Sequence, residues 1–149
     1  MHQDILKELL RNKIIFITIL TWVIAQMLKV IIGLFRDRKF DFRWLIGSGG
    51  MPSSHAAGVS CLAMATGINY GFDSIYFSLA TTFAFIVMFD AQGVRRSTGR
   101  QARILNKVMD DIYWQGKIKE NRLREFVGHT PIEVIAGFLL GIIVAYLAY

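Results

Sequence analysis

The sequence predicts an all-α fold, a small polytopic membrane bundle of about four transmembrane helices with one cytoplasmic amphipathic helix. Three observations carry this. Hydrophobic residues make up 54% of the 149-residue chain and charged residues only 19%, more apolar than an ordinary soluble domain of that size. The apolar residues gather into blocks close to the roughly 20 residues that a spanning helix needs. Polar, turn-forming and capping residues collect between those blocks. Against lipid every backbone N–H and C=O must be satisfied within its own segment, so the blocks are expected to be helices.

The first block covers 14–34 and carries Gln26 and Lys29 toward its end. It is too long for a signal-peptide core and no small-residue cleavage site follows it, so it is expected to remain as a span. The second block, 54–70, is the least hydrophobic, and the third, 74–90, runs into Asp90. The fourth, 131–149, holds Gly137 and Gly141, a small-xxx-small pattern that suits close helix packing within a bundle. The polar stretches 35–53 and 91–130 are expected to be loops. Within the longer one, Ile104, Leu105, Val108, Met109 and Ile112 recur at helical spacing beside Arg100, Arg103 and Lys107, which predicts an interfacial helix. The length suggests one integral-membrane domain, 1–149. The single cysteine, Cys61, rules out a disulfide framework and is expected to be a buried thiol. A bundle this small is compatible with a homodimer.

With four spans, both loops share one side of the membrane, and both termini share the other with the short 71–73 turn. Fourteen of the seventeen Lys and Arg residues then fall on the loop side. The positive-inside rule places the loops in the cytoplasm of a multi-pass cell-membrane protein, with both termini on the opposite face. The same topology brings the end of the first span, the start of the second, the end of the third and the start of the fourth together. The unusual polar residues of the chain lie at those four ends.

Two clusters stand there. In Gly49-Gly50-Met51-Pro52-Ser53-Ser54-His55, paired glycines permit a sharp turn and close approach to a ligand. Pro and Ser then open a helix, whose N-terminal N–H groups and positive dipole end suit a phosphate. His55 in the first turn can deliver a proton there. Capping accounts for Ser53 or Ser54, but not for the glycines and histidine together. In His129-Thr130-Pro131-Ile132-Glu133, Thr130 and Glu133 fit a capping box with Pro131 at the first helical position. Glu133 also stands where it can hold one nitrogen of His129 and leave the other to act. Cap and catalytic partner both remain open for Glu133 at this point.

Lys29 is an ionisable residue inside a span, a functional position by default unless it snorkels to the interface. Trp22, Gln26, Lys29 and Gly33 are expected to form one inward-facing stripe. After the third block, Asp90-Ala91-Gln92-Gly93-Val94-Arg95-Arg96 supplies adjacent arginines that can grip phosphate oxygens or stop transfer beside anionic lipid. The basic loops need no nucleic acid to explain them, and no acidic cluster calls for a metal or other cofactor.

In combination these motifs resemble the divergent branch of the type-2 phosphatidic acid phosphatases, in the acid phosphatase and vanadium-dependent haloperoxidase superfamily, from about Gln26 to the C-terminus. Lys29 and Arg36 keep the spacing of the superfamily's first motif, with Asp37 where proline stands in the pattern. Pro52-Ser53-Ser54-His55 corresponds to Pro-Ser-Gly-His, and His129 with Glu133 keeps the last spacing with Glu for Asp. The arginine before that histidine is displaced: Leu123 holds its position between Arg122 and Arg124. Arg95 or Arg96 is the expected substitute. The resemblance implies metal-free phosphomonoester hydrolysis. His129 would form a phosphohistidine, Glu133 would orient it, and His55 would protonate the leaving oxygen and then activate water. Lys29, Arg36, Ser53, Ser54, Arg95 and Arg96 would hold the phosphate.

A site on the cytoplasmic face favours a biosynthetic lipid phosphate. Phosphatidylglycerophosphate is expected first, phosphatidic acid second and an isoprenoid pyrophosphate third. The competing classes are a catalytically silent membrane protein that binds anionic lipid or scaffolds partners, and a small transporter subunit. The crowding of polar residues at one end, rather than at mid-membrane, weighs against transport.

Overall fold

The computed structural model describes residues 2–37, 50–113 and 128–149. Among these residues all regular structure is helical: α1 His2–Arg11, α2 Lys13–Asp37, α3 Ser54–Tyr70, α4 Ile75–Gln92, α5 Val94–Tyr113 and α6 Pro131–Ala148. Among the described residues three stretches are long and apolar enough to cross a membrane, Lys13–Phe35, the run Ile75–Met109 that joins α4 to α5, and Pro131–Ala148. α3 has 17 residues and lies at the short end of the spanning range.

Each expected block is a helix, and caps set their starts. Ser53 caps α3, with its hydroxyl accepting from the Ala56 N–H, and Ser74 caps α4 by accepting from Phe77. Gly71, at φ 93°, turns the chain out of α3, a conformation that costs glycine little. Thr130 caps α6 through the expected capping box, with Pro131 in its first turn.

α3 is the centre of the bundle and packs most extensively on α6, then on α4 and α2. α3 and α6 run parallel. The Ser53 N–H donates to the Glu133 carbonyl at 2.9 Å, and further along the Ser60 hydroxyl is shared between the Ala56 carbonyl (2.7 Å) and the Phe138 carbonyl on α6 (3.1 Å). Gly137 and Gly141 make this closeness possible. A Cβ on Gly137 would run into the Ser53 carbonyl, and one on Gly141 would meet Ser60, the Ala57 carbonyl and the Cys61 amide. With little gained from apolar burial in lipid, such a seam is held by van der Waals contact and interhelical hydrogen bonds. The two glycines thus pack the bundle, as expected.

α2 lies antiparallel to α3. Thr21 donates to the Ile17 carbonyl at 2.8 Å and sits 3.1 Å from Sγ of the buried Cys61. At the other end, Gly50 lies against the Lys29 stem. The buried seam of α2 is Ile17, Thr21, Ala25, Lys29 and Gly33 with Gln26 beside it. This corrects the expected stripe: Trp22 is 44% exposed and sits on the flank. A repeat of four residues places small side chains against α3, and a tryptophan is too bulky for that approach.

Two further features depart from expectation. α1, ahead of the first span, was not anticipated. Its exposed Leu9 and Leu10 stand beside Lys7 and Arg11, and Asn12 separates it from α2. The third span was also expected to end near Asp90, whereas helical bonding continues through Gly93: its N–H reaches the Phe89 carbonyl at 2.8 Å and its carbonyl accepts from Ser97 at 3.0 Å. Gly93 sits at φ −89°, ψ −73°, right-handed helical space that requires no break. On α5, Ile104, Leu105 and Val108 are exposed beside Arg103 and Lys107, while Ala102 and Asn106 are buried.

Candidate functional site

The end of α2, the start of α3, the end of α4 and the start of α6 meet at one end of the bundle. Gly50 against Lys29, Ser53 bonded to Glu133, and the His129 N–H donating to the Ala91 carbonyl at 3.0 Å tie the four ends together. The unusual polar residues share this end.

The His129 side chain is enclosed, 1% exposed. Nδ1 of its ring lies 3.1 Å from Oε2 of Glu133. An ionised carboxylate only accepts, so Nδ1 carries the proton and the lone pair of a neutral ring resides on Nε2. The same Oε2 accepts from the Thr130 N–H at 3.0 Å, and the Glu133 N–H donates to the Thr130 hydroxyl at 3.4 Å. Glu133 therefore caps the helix and holds the histidine at once, through one oxygen. The cap and the hydrogen bond to His129 coexist in the structure.

His55, in the first turn of α3, faces His129 with ring centroids 6.0 Å apart and planes inclined by 59°. Ser54 and His55 occupy the first two helical positions, whose N–H groups have no acceptor within their own helix. Lys29 is 4% exposed, and the Glu133 carboxylate is near enough to act electrostatically on its ammonium. Gly50, at φ 87°, brings its backbone against the lysine stem: a Cβ there would lie 3.2 Å from Cγ and 3.3 Å from Cδ of Lys29.

Ser53 requires a correction. It was expected to offer its N–H to a phosphate, but that N–H is committed to the Glu133 carbonyl, its hydroxyl to the Ala56 amide, and the residue is fully buried. Its part is to join α3 to α6. Arg36 stands in the last turn of α2, and Arg95 and Arg96 in the first turn of α5, both near this end of the bundle. The side chains of these three arginines, and all of Gly49, Arg122, Leu123 and Arg124, lie outside the described residues. Among the described residues no three His, Cys, Asp or Glu side chains come together to hold a metal ion.

Sequence reasoning missed two contributors. The Ala91 carbonyl, which holds the His129 backbone, leaves no mark in a sequence because any residue supplies a carbonyl. The second is a cleft of about 480 Å³ beside His55, between α2, α3 and α4, whose lining includes Trp22, Gly58, Leu62 and Phe83. The large Trp22 so close to Gln26 and Lys29 was its only trace.

Comparison with known proteins agrees with this architecture. A family model described as the Divergent PAP2 family matches residues 10–144. The chain is 39% identical over 154 aligned residues to YuiD of Bacillus subtilis (strain 168), an uncharacterized membrane protein, covering 95% of this chain and 98% of that one. No solved structure matches. The chain belongs to the Divergent PAP2 family, and its apolar helices together with this relative support a location in a membrane.

Proposed function

We propose that this member of the Divergent PAP2 family is a metal-independent lipid phosphatase that hydrolyses a phosphomonoester of a glycerophospholipid. Phosphatidylglycerophosphate is the first expected substrate and phosphatidic acid the second. One observation carries the reading: a histidine whose Nδ1 is held by a carboxylate faces a second histidine across 6.0 Å, at the N-terminus of a neighbouring helix.

In the proposed reaction, Nε2 of His129 attacks phosphorus while the bond to the lipid oxygen breaks, and His55 gives that oxygen a proton. Glu133 keeps its hydrogen bond to Nδ1 as the ring gains positive charge. Water then attacks the phosphohistidine, His55 takes its proton, the P–N bond breaks, and phosphate leaves with the Nε2 lone pair restored. Lys29, the Ser54 and His55 N–H groups, and the arginines Arg36, Arg95 and Arg96 would neutralise the equatorial oxygens. Phosphoryl transfer asks chiefly for such positioning and positive charge.

The topology belongs to the same proposal. α2, α3, α4 and α6 would each cross the membrane and α5 would lie along its surface, exposed apolar side chains toward lipid and Arg103 and Lys107 toward headgroups. The excess of Lys and Arg at the site end supports a cytoplasmic site and puts both termini on the far face. A reporter fused after Tyr149 that proved cytoplasmic would overturn that orientation and the substrate ranking with it.

The deciding assay is phosphate release by the purified protein in detergent with EDTA, wild type beside His129→Asn. Phosphatidylglycerophosphate, phosphatidic acid and a prenyl pyrophosphate would be offered in turn. Release that is lost in the variant is expected. A folded protein that releases nothing from any of them would favour a silent anionic-lipid-binding protein instead.

A further inference from the structure

The cleft between α2, α3 and α4 is built in an unusual way. Its floor is Gly58, in the second turn of α3, and a Cβ added there would meet nothing within 4 Å. The other helical glycines on the faces of α3 and α6 are different: Gly67, Gly137 and Gly141 each press against another part of the chain, where a Cβ would collide. Glycine inside a helix is less favourable than alanine. At Gly137 and Gly141 helix packing explains it; at Gly58 none of the described residues stands opposite. Its small size leaves a space open.

The walls of that space are apolar: Trp22 from α2, Leu62 from α3, and Phe83 and Val87 from α4. Its polar end is Ser54 and His55, and His55 is the residue that faces His129. From Ser54 to Leu62 the cleft follows α3 for about 12 Å, at 1.5 Å per residue. That is most of one leaflet, half of a hydrocarbon core of roughly 30 Å. A cleft with Ser54 and His55 at its polar end, mainly apolar walls and one leaflet of depth fits a single hydrocarbon chain whose phosphate lies at His55.

We propose that this cleft holds one hydrocarbon chain of a lipid phosphomonoester, with Gly58 as its floor and Trp22 and Phe83 as its sides. The proposal rests on the phosphatase reading for the identity of the headgroup. It adds a selectivity: a lipid with a long chain is bound through the cleft, and a water-soluble phosphate is not.

Trp22 is a built-in probe. In a Trp44→Phe, Trp114→Phe background it is the sole tryptophan, and lipids brominated along the chain quench it on contact. The protein would be titrated in detergent with brominated phosphatidic acid and, separately, with phosphatidylcholine carrying the same bromines. Stronger, saturable quenching by the phosphatidic acid is expected. Gly58→Leu, which fills the floor, should remove that difference, and Gly58→Ala should keep most of it while showing that the helix tolerates substitution. In the phosphate-release assay, Gly58→Leu should lower kcat/KM for a long-chain lipid phosphate at least tenfold and leave a short-chain soluble analogue within about twofold.

Equal quenching by the two lipids, selective quenching that Gly58→Leu leaves intact, or weak quenching by both, as for a Trp22 buried between two copies of the chain, would each overturn the cleft. Because binding is read without turnover, the two readings fail separately. Selective, Gly58-dependent quenching without phosphate release would uphold the cleft and defeat the phosphatase. Phosphate release with unselective quenching would do the reverse.

Discussion

Glu133→Gln separates the charge of Glu133 from its place in the structure. Oε2 of Glu133 accepts from Nδ1 of His129 at 3.1 Å and from the Thr130 N–H at 3.0 Å. An amide oxygen in the same position still has two lone pairs, and glutamine serves a capping box as glutamate does. Both bonds therefore survive, and only the charge is removed. A hydrogen bond to a charged group contributes about 1.5–3 kcal/mol, against about 0.5–1.5 for a neutral one. The difference is greatest when the His129 ring becomes positive on attacking phosphorus. Taking about 1–2 kcal/mol for the loss in the transition state of the proposed reaction, kcat falls about 5- to 30-fold at roughly 1.4 kcal/mol per decade. Glu133→Ala also removes the cap, a further cost of about 1 kcal/mol in stability.

The assay is single-turnover phosphate release, with acid-labile phosphoprotein trapped at short times, alongside thermal unfolding in the same detergent. One complication is built into the site, because the Glu133 charge also acts on buried Lys29. If Glu133→Gln lowers the melting temperature on that account, adding Lys29→Met to the Glu133→Gln variant should raise it again, since a buried cation without its counter-charge is then gone. Turnover by Glu133→Gln within about twofold of wild type, with the melting temperature kept, would make Glu133 a helix cap alone and refute its place in the reaction.

Two further outcomes follow from the same packing. Gly141→Ala should destabilise the bundle by about 1–3 kcal/mol, because the new methyl meets the Ala57 carbonyl and the Cys61 amide on α3 and the helices must part. Gly58→Ala, the same chemical change, should stabilise it by about 0.5–1 kcal/mol, since nothing stands in its way and alanine is the better helix former; melts that moved in the same direction would refute the seam. Gly50→Ala combines a disfavoured φ of 87° with a Cβ 3.2 Å from Cγ of Lys29, and displacement of that amine should cost about ten- to a hundredfold in kcat/KM. Unchanged kinetics in that variant would mean that the position of Lys29 is not set by the turn.

The helices were legible because each is a long apolar run, and their starts because Ser53, Ser74 and Thr130 carry the side chains that cap. α1 escaped because it is a short amphipathic helix, polar on average, that lies outside the long apolar runs marking the spans. Gly93 misled because glycine permits a break without imposing one; which occurs depends on bonds to Phe89 and Ser97 that composition does not reveal. His55, His129, Glu133 and Lys29 were visible as polar residues at the ends of apolar blocks. The commitment of Ser53 to α6 was not, because a capping serine looks the same whether or not its own N–H is already spent on another helix. Nor was the role of Gly58, which differs from Gly141 only in what stands opposite.

The continuity through Gly93 also bears on the chemistry. α3 and α6 run parallel with their starts bonded together, so two positive dipole ends, each equivalent to roughly half an elementary charge, lie side by side at His55 and His129. In an up-and-down bundle the two remaining helices would be expected to bring negative C-terminal ends to the same place and largely cancel them. α4 does so only in part: its Ala91 carbonyl accepts from the His129 N–H, while the Phe89 and Gly93 carbonyls bond onward along the run that leads into α5. α2 does end there, and Lys29 and Arg36 stand in its last turns, where cations are favoured. Two helix N-termini and Lys29 therefore gather at the end of the bundle where His129 is held by a carboxylate. Glu133 is itself favoured there, as an acidic residue in the first turn of α6. In the proposed phosphatase, the preference for an anion would come from the direction of the helices as much as from the side chains.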